Sequence, residues 1–239
     1  MKNVLVTGGS RGIGREIVRA FCNVGYNVAF TYKSSHKDAE CLAEETGALS
    51  INADSADANA VVNAVKVAEE QFGKIDILIN NAAISTSSLF TDISLEAWNN
   101  EMAVNLTGAF LYSKAIAPGM INKKWGRIIN ISSMWGVVGA SCEVCYSTAK
   151  AGLVGMTKAL AKELGPSGIT VNAIAPGLID TEMNSHLSFE DKAELIDMTP
   201  VSRIGTPSDV ASAVLFLAGE EASFITGEVL NISGGFVIY

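Results

Sequence analysis

The sequence predicts an α/β fold: a parallel sheet covered by helices on both faces. Seven short apolar, β-branched runs recur, beginning near Asn3 (NVLVTG), Asn27 (NVAFTY), Ala48 (ALSIN), Ile75 (IDILIN), Gly126 (GRIINIS), Ile169 (ITVNAIAPG) and Glu228 (EVLNISGG). Helical patterns lie between them. Strands that are apolar throughout and separated by helix-length segments belong in a buried parallel sheet with right-handed crossovers. The 239 residues are 49% hydrophobic and 18% charged, enough for one large core, and no linker, repeat or low-complexity stretch divides the series. One domain over 1–239 is expected.

Charge and cysteine usage narrow the function classes. A formal net charge of −8 opposes general binding to polyanions, so neither nucleic acid nor an anionic membrane is an expected partner. No apolar run approaches the roughly 20 residues that span a bilayer, and Met1-Lys2-Asn3 leads straight into a strand, so a cytoplasmic location is expected. Cys22, Cys41, Cys142 and Cys145 have no disulfide-framework spacing. Cys142 and Cys145 form one CxxC, but a zinc site needs two more ligands, and His36 and His186 stand in unrelated stretches. No metal is expected.

The first strand runs into TGGSRGIG, Thr7 to Gly14, and then a helical pattern, REIVRAFCNVG. Gly8, Gly12 and Gly14 permit a tight turn and close backbone approach, while the helix start offers free N–H groups to a pyrophosphate. Strand, loop and helix together point to a dinucleotide. The second strand ends at TYKSSHKD, about 20 residues on, where an adenine ribose is read. An acid there would grip both ribose hydroxyls. Instead Lys33, Ser34 and Ser35 stand there, with Arg11 in the loop as a second cation, which suits a 2′-phosphate and favours NADP(H) over NAD(H).

Asp54, closing the third strand, is open to two readings: adenine contact, or a cap for the helix beginning near Asp57. Asn80-Asn81-Ala82-Ala83 leave the fourth strand at the carboxyl edge, where open α/β sheets bind ligands. These amides can satisfy backbone, touch a ribose, or both. A continuous helix is expected from about Glu96 to Asn122. It carries Asn105 among apolar neighbours, and an amide buried there without partners would cost roughly 1 to 3 kcal/mol.

The segment Ile131 to Lys150 carries Ser133, Tyr146 and Lys150. The last two are one helical turn apart on the same side. A phenol near an ammonium is expected to have its pKa lowered toward neutrality, which would let it exchange a proton. Hydride delivery to a ketone creates alkoxide character, which needs a group to hold the oxygen and a group to supply the proton.

With TGGSRGIG, NNAA, Asn105, Ser133, Tyr146-x3-Lys150 and PGLIDTEM in this order, the chain resembles the short-chain dehydrogenase/reductase family along its whole length. The resemblance implies a single-domain Rossmann fold with a doubly wound, seven-stranded sheet, and a catalytic set at Asn105, Ser133, Tyr146 and Lys150. Ser133 would hold the carbonyl oxygen, Tyr146 donate the proton, Lys150 also bind the nicotinamide ribose, and Asn105 hold a relay water. It further implies cofactor contacts at Gly8, Ser10, Arg11, Gly12, Ile13, Gly14, Lys33, Ser34, Asp54, Asn81, Ala82, Tyr146, Lys150, Pro176, Gly177, Ile179 and Thr181.

Within that family the stretches RGIGREIV, YSTAKAGLVGMTKALAKELGPSGITVNAIAPGLIDTEM and RIGTPSDVASAVLFLAGEEASFITGEVLNISGG imply NADPH-dependent reduction of a 3-oxoacyl thioester on an acyl carrier protein, in fatty-acid synthesis. Lys123, Lys124 and Arg127 could form a basic patch for the carrier. A generic NADP-dependent alcohol, carbonyl or sugar dehydrogenase is the alternative, and a non-catalytic dinucleotide-binding sensor or scaffold is a third reading. The mixed, polar stretch at about 182–206 reads as a substrate lid or a surface helix pair. An apolar stripe through Ala149, Leu153, Met156 and Leu160 is expected on the sheet. Ala151, Gly152, Gly155 and Ala159 leave a second greasy face on the same helix, which calls for a further neighbour, and the family resemblance implies a homotetramer.

Overall fold

The computed structural model describes residues 1–185 and 187–238; His186 and the terminal Tyr239 lie outside the described residues. In chain order the elements are β1 (Asn3–Val6), α1 (Gly12–Asn23), β2 (Asn27–Tyr32), α2 (His36–Thr46), β3 (Leu49–Asn52), α3 (Ala58–Phe72) and β4 (Ile77–Asn80). Then follow α4 (Leu95–Met102), a π turn (Ala103–Thr107), α5 (Gly108–Lys123), β5 (Gly126–Ile131), the single turn α6 (Trp135–Val138), α7 (Val144–Leu164), β6 (Ile169–Pro176), α8 (Phe189–Asp197), α9 (Pro207–Ala218) and β7 (Val229–Ile232).

Among the described residues all seven strands pair in parallel, in the order β3-β2-β1-β4-β5-β6-β7. This is the doubly wound sheet that the sequence predicts. The order reverses between β1 and β4, and the loops at their carboxyl ends bound the crevice where such sheets take ligands. Strand residues alternate between two cores. Val4, Val6, Phe30, Ile77 and Ile79 pack with Ile17, Phe21, Leu42, Val214 and Leu217 of α1, α2 and α9. Leu5, Ala29, Leu78 and Ile128 face Val61, Ala64, Tyr112, Ile116 and Leu164 of α3, α5 and α7. Both faces are dry, which is why the strands read as unbroken apolar runs.

Two expectations are corrected. The helix expected from Glu96 to Asn122 is interrupted by the π turn, whose wider ring shifts the residues after it around the axis. On α7 the buried stripe runs through Ala149, Leu153, Thr157 and Ala161, with Met156 and Leu160 only half-buried. The stripe is rotated because the Thr157 hydroxyl accepts from Asn130 Nδ2 at 2.8 Å and donates to the Leu153 carbonyl at 2.8 Å, so this polar side chain faces the sheet without leaving an unmet donor or acceptor. Asn130 in turn accepts from Asn80 Nδ2 at 2.8 Å, carrying the polar chain across two strands.

Candidate active site

The glycine loop is shaped for close approach. Gly8 has φ +66°, the left-handed region, and a Cβ at Gly14 would strike the Gly8 carbonyl oxygen. Arg11 precedes α1 in extended conformation with no side-chain cap, so the first-turn N–H groups of Gly12, Ile13 and Gly14 stay open to an anion. Ser10 is buried in the turn and Arg11 is exposed. From the fourth strand, Asn81 Nδ2 donates to the Thr7 and Gly8 carbonyls at 3.0 Å each. The Thr7 hydroxyl accepts from Asn81 N at 2.9 Å and Ala82 N at 3.0 Å. The side-chain amide of Asn81 is thus spent on loop backbone, and Thr7, which the sequence does not single out, is the pin between β1 and β4.

At the far end of β2, Lys33 Nζ lies 2.7 Å from Asp54 Oδ2, with the lysine side chain 63% exposed. Ser34 beside it is exposed. The capping question at Asp54 is resolved: Asp57 is the cap of α3, accepting from Asn59 N at 2.8 Å and Ala60 N at 3.2 Å. Asp54 instead holds Lys33 and accepts from Ala56 N at 3.0 Å. Thr181 is brought to the loop by the turn after β6, since a Cβ at Gly12 would meet Thr181 Cγ2 at 3.3 Å. Pro176 ends β6, Gly177 N–H donates to the Ile232 carbonyl at 2.9 Å, and buried Ile179 bridges Gly205.

The reactive set converges at the carboxyl ends of β4 and β5. Ser133 is 7% exposed, stands beside Tyr146, and accepts from Trp135 N at 3.1 Å. Lys150 is 2% exposed, and its Nζ donates to the Ile131 carbonyl at 2.8 Å. Ser132 Oγ donates to the Lys150 carbonyl at 2.9 Å, so the last residue of β5 and the one after it grip the lysine at both ends. Asn105 sits in the π turn, 1% exposed, and clamps Ile84: Oδ1 accepts from Ile84 N and Nδ2 donates to Ile84 O, both at 2.8 Å. The amide has found its partners in the backbone of the segment that follows NNAA.

The electrostatics correct one expectation. The sequence predicts that Lys150 draws the Tyr146 phenol toward its anion, but in the folded chain the phenol is pushed up to about 12. Burial is the main cause, opposed by the Ser133 hydrogen bond and reinforced by the carboxylates of Glu143 and Glu101. Burial likewise pushes Lys150 down to about 8. The ammonium lies 5.5 Å from the Tyr146 ring centre and is turned toward Ile131. The desolvated phenol beside two acids resists ionisation, and one ammonium does not outweigh that; the lysine resists charging through burial alone.

The basic patch is also corrected. Arg127 is buried at 2% exposure, 3.6 Å from Glu220, and Lys123 Nζ is 2.6 Å from Asp76. Both stand at the amino end of β5, the sheet edge opposite the reactive set. Among the described residues no group of three or more histidine, cysteine or acidic side chains is placed to hold a metal, and no helix is long and apolar enough to cross a membrane.

Residues 8–237 match the family model described as Enoyl-(Acyl carrier protein) reductase. A curated relative from Staphylococcus aureus (strain Mu50 / ATCC 700699), 3-oxoacyl-[acyl-carrier-protein] reductase FabG, is 41% identical over 98% of this chain and 97% of its own length. Its namesake from Aquifex aeolicus (strain VF5) is 44% identical over 97% and 95%. Among solved structures, a mutant of a Serratia marcescens short-chain dehydrogenase/reductase superposes with TM-score 0.92 at 40% identity, covering 98% of this chain and 97% of that one.

The chain belongs to the short-chain dehydrogenase/reductase family. It is therefore an oxidoreductase with a Rossmann-type sheet and a nicotinamide dinucleotide cofactor. The cofactor fits what the loop offers, an open helix start and a Gly14 whose missing Cβ leaves the backbone approachable. In this short-chain dehydrogenase/reductase the candidate catalytic residues Ser133, Tyr146 and Lys150 lie on α7 and the loop after β5, and the glycine loop follows β1. Thr7, Asn80, Ala82, Asn105 and Lys150 line one pocket between them.

Proposed function

We propose that this short-chain dehydrogenase/reductase catalyses NADPH-dependent reduction of 3-oxoacyl thioesters to 3-hydroxyacyl thioesters, with acyl carrier protein as the carrier in fatty-acid synthesis. The observation that carries the chemistry is that Ser133, Tyr146 and the pinned Lys150 stand together, with Ser133 favouring the Tyr146 phenolate and the Lys150 ammonium 5.5 Å from the Tyr146 ring. The relatives named 3-oxoacyl-[acyl-carrier-protein] reductase support the substrate class. When bound, NADPH supplies the hydride that reaches the substrate's third carbon.

In this reading Ser133 holds the carbonyl oxygen and Tyr146 donates the proton that completes the hydroxyl, two oriented groups that act where charge develops. Lys150, fixed by Ile131 and Ser132, sets the position of the Tyr146 ring and faces the cofactor ribose. Asn105 holds the Ile84 segment and thereby one wall of the proton path. Gly8, Ser10, Arg11, Gly12, Ile13 and Gly14 cradle the pyrophosphate, Lys33, Ser34 and Arg11 meet the 2′-phosphate, and Asp54, Asn81 and Ala82 border the adenosine. Pro176, Gly177, Ile179 and Thr181 flank the nicotinamide. The segment 182–206, with Phe189, Met198 and Val201 exposed, is the substrate lid of one domain spanning 1–239. The exposed small residues Ala151, Gly155 and Ala159 of α7, and the exposed Phe110 of α5, support assembly as a homotetramer.

Purified protein assayed with NADPH and acetoacetyl-CoA or acetoacetyl-carrier protein, beside a panel of simple ketones and sugars, tests the reading. Thioester turnover well above the panel is expected. Reduction of the panel with neither thioester consumed overturns it in favour of a generic carbonyl dehydrogenase.

A further inference from the structure

Two carboxylates beside Tyr146 have no part in the chemistry above. Consecutive residues after the fourth strand hold them: Ser85 Oγ donates to Glu143 Oε2 at 2.7 Å, and Thr86 N–H donates to Glu101 Oε1 at 2.8 Å. Glu143 is the residue preceding α7, three before Tyr146, half-buried, and it meets the helix start from its positive end. Glu101 stands one turn before Asn105 and is 2% exposed, with its Oε2 left without a hydrogen-bond partner. A buried carboxylate oxygen with no donor is rare, because desolvation alone opposes it.

The groups that interact with this pair are Ser85 and Thr86 from the loop after β4, and Cys145 and Tyr146 from α7, with Lys150 one turn beyond Tyr146. Among these described residues none is a free cation. Lys150 is committed to the Ile131 carbonyl at 2.8 Å, and Cys145 is a thiol that burial first, and then both acids, keep protonated. Ser88 N–H donates to the Cys142 carbonyl at 2.9 Å, which closes the same wall on its outer side. After burial, both carboxylates act on the Tyr146 phenol and raise its pKa. Glu143 at the head of the helix that carries Tyr146, and Glu101 on the Thr86 backbone two residues beyond the Ile84 that Asn105 clamps, therefore flank the phenol from the Ser85–Thr86 side.

We propose that Glu143, backed by Glu101, is a specificity-determining residue that excludes anionic substrates, so that the site takes 3-oxoacyl groups as neutral esters or thioesters and rejects the free 3-oxo acids. The inference rests on the reductase reading above. A 3-oxo acid carries its carboxylate two carbons from the reacting carbonyl, inside the reach of the pair, whereas esterification removes that charge. In a partly desolvated cleft such a repulsion is worth on the order of tenfold in kcat/KM.

The test compares ethyl acetoacetate with acetoacetate, equal in the reacting portion and different in charge, in wild type, Glu143→Gln and Glu143→Asp. The expected wild-type preference for the ester falls by about tenfold in Glu143→Gln through a gain on acetoacetate, and persists in Glu143→Asp. Glu143→Ser, which also removes the charge, must shift the ratio the same way and serves if the amide loosens the loop. A ratio that stays at the wild-type value in both neutral variants overturns the inference alone. A wild-type enzyme that reduces neither the ester nor an acetoacetyl thioester overturns the reductase reading and the inference with it.

Discussion

Lys150 Nζ donates to the Ile131 carbonyl at 2.8 Å while lying 5.5 Å from the centre of the Tyr146 ring. The lysine is thus anchored to the sheet first and to the phenol second. This ordering shapes the behaviour of both groups.

Lys150 is held near 8 in the folded protein, against an ordinary 10.5, by burial. Between those values the unfolded chain binds the extra proton and the folded one does not, so stability rises with pH across that window. Below about pH 8 the cost of the buried charge is fully present. The difference in unfolding free energy between wild type and Lys150→Met is expected to climb by roughly 3 kcal/mol from pH 8 to 10.5, read by urea denaturation at several pH values. A flat difference would show that the folded lysine titrates normally.

Tyr146→Phe keeps the ring, loses the proton donor and leaves the glycine loop untouched. Turnover is expected to fall by at least about a thousandfold, within the range general acids contribute, with NADPH affinity within about threefold of wild type. Steady-state rates and cofactor fluorescence titration check the two halves. Wild-type-like turnover would remove Tyr146 as the acid.

Asn105→Ala strips Ile84 of both its partners at 2.8 Å. A loss of roughly 1 to 3 kcal/mol is expected, together with reduced turnover, because the Ile84 segment borders the site. Thermal unfolding and rate measurements on one preparation decide it.

Lys33 shares its charge with Asp54 at 2.7 Å. Lys33→Ala is expected to lower the ratio of kcat/KM for NADPH over NADH by about tenfold, while Asp54→Ala, which releases the lysine, raises it. Equal ratios in all three proteins would assign the phosphate elsewhere.

Gly14→Ala places a methyl group on the Gly8 carbonyl. The loop must open to accept it. Affinity for NADPH is expected to drop by at least about tenfold, about 1.4 kcal/mol, in a direct binding titration.

Much of this is legible in the residue order. The seven strands announce themselves because both sheet faces are buried, and Gly8, Gly12 and Gly14 because a backbone must come close. What stays hidden depends on contacts made across the chain. Nothing local says that Asn105 belongs to a π turn, since its partner Ile84 is in another segment. Thr157 reads as a polar residue off the stripe until Asn130 is seen beneath it. The direction of the Tyr146 shift depends on burial, and then on Glu143 and Glu101, which are far apart in sequence yet both face the phenol. Arg127 looks like surface charge in sequence, yet it is inside the fold, near Glu220.

The π turn at Ala103–Thr107 amounts to one residue more than a straight helix running from α4 into α5 would hold. Deleting a single residue from it would let the helix run on unbroken, with better local hydrogen bonding. Yet the flanks would keep their places only by losing the wide arc between them, and Asn105, which stands inside that arc, would be carried off Ile84 while Glu101 stayed on Thr86. The irregular turn is what lets one helix keep hold of two neighbouring points on the same loop.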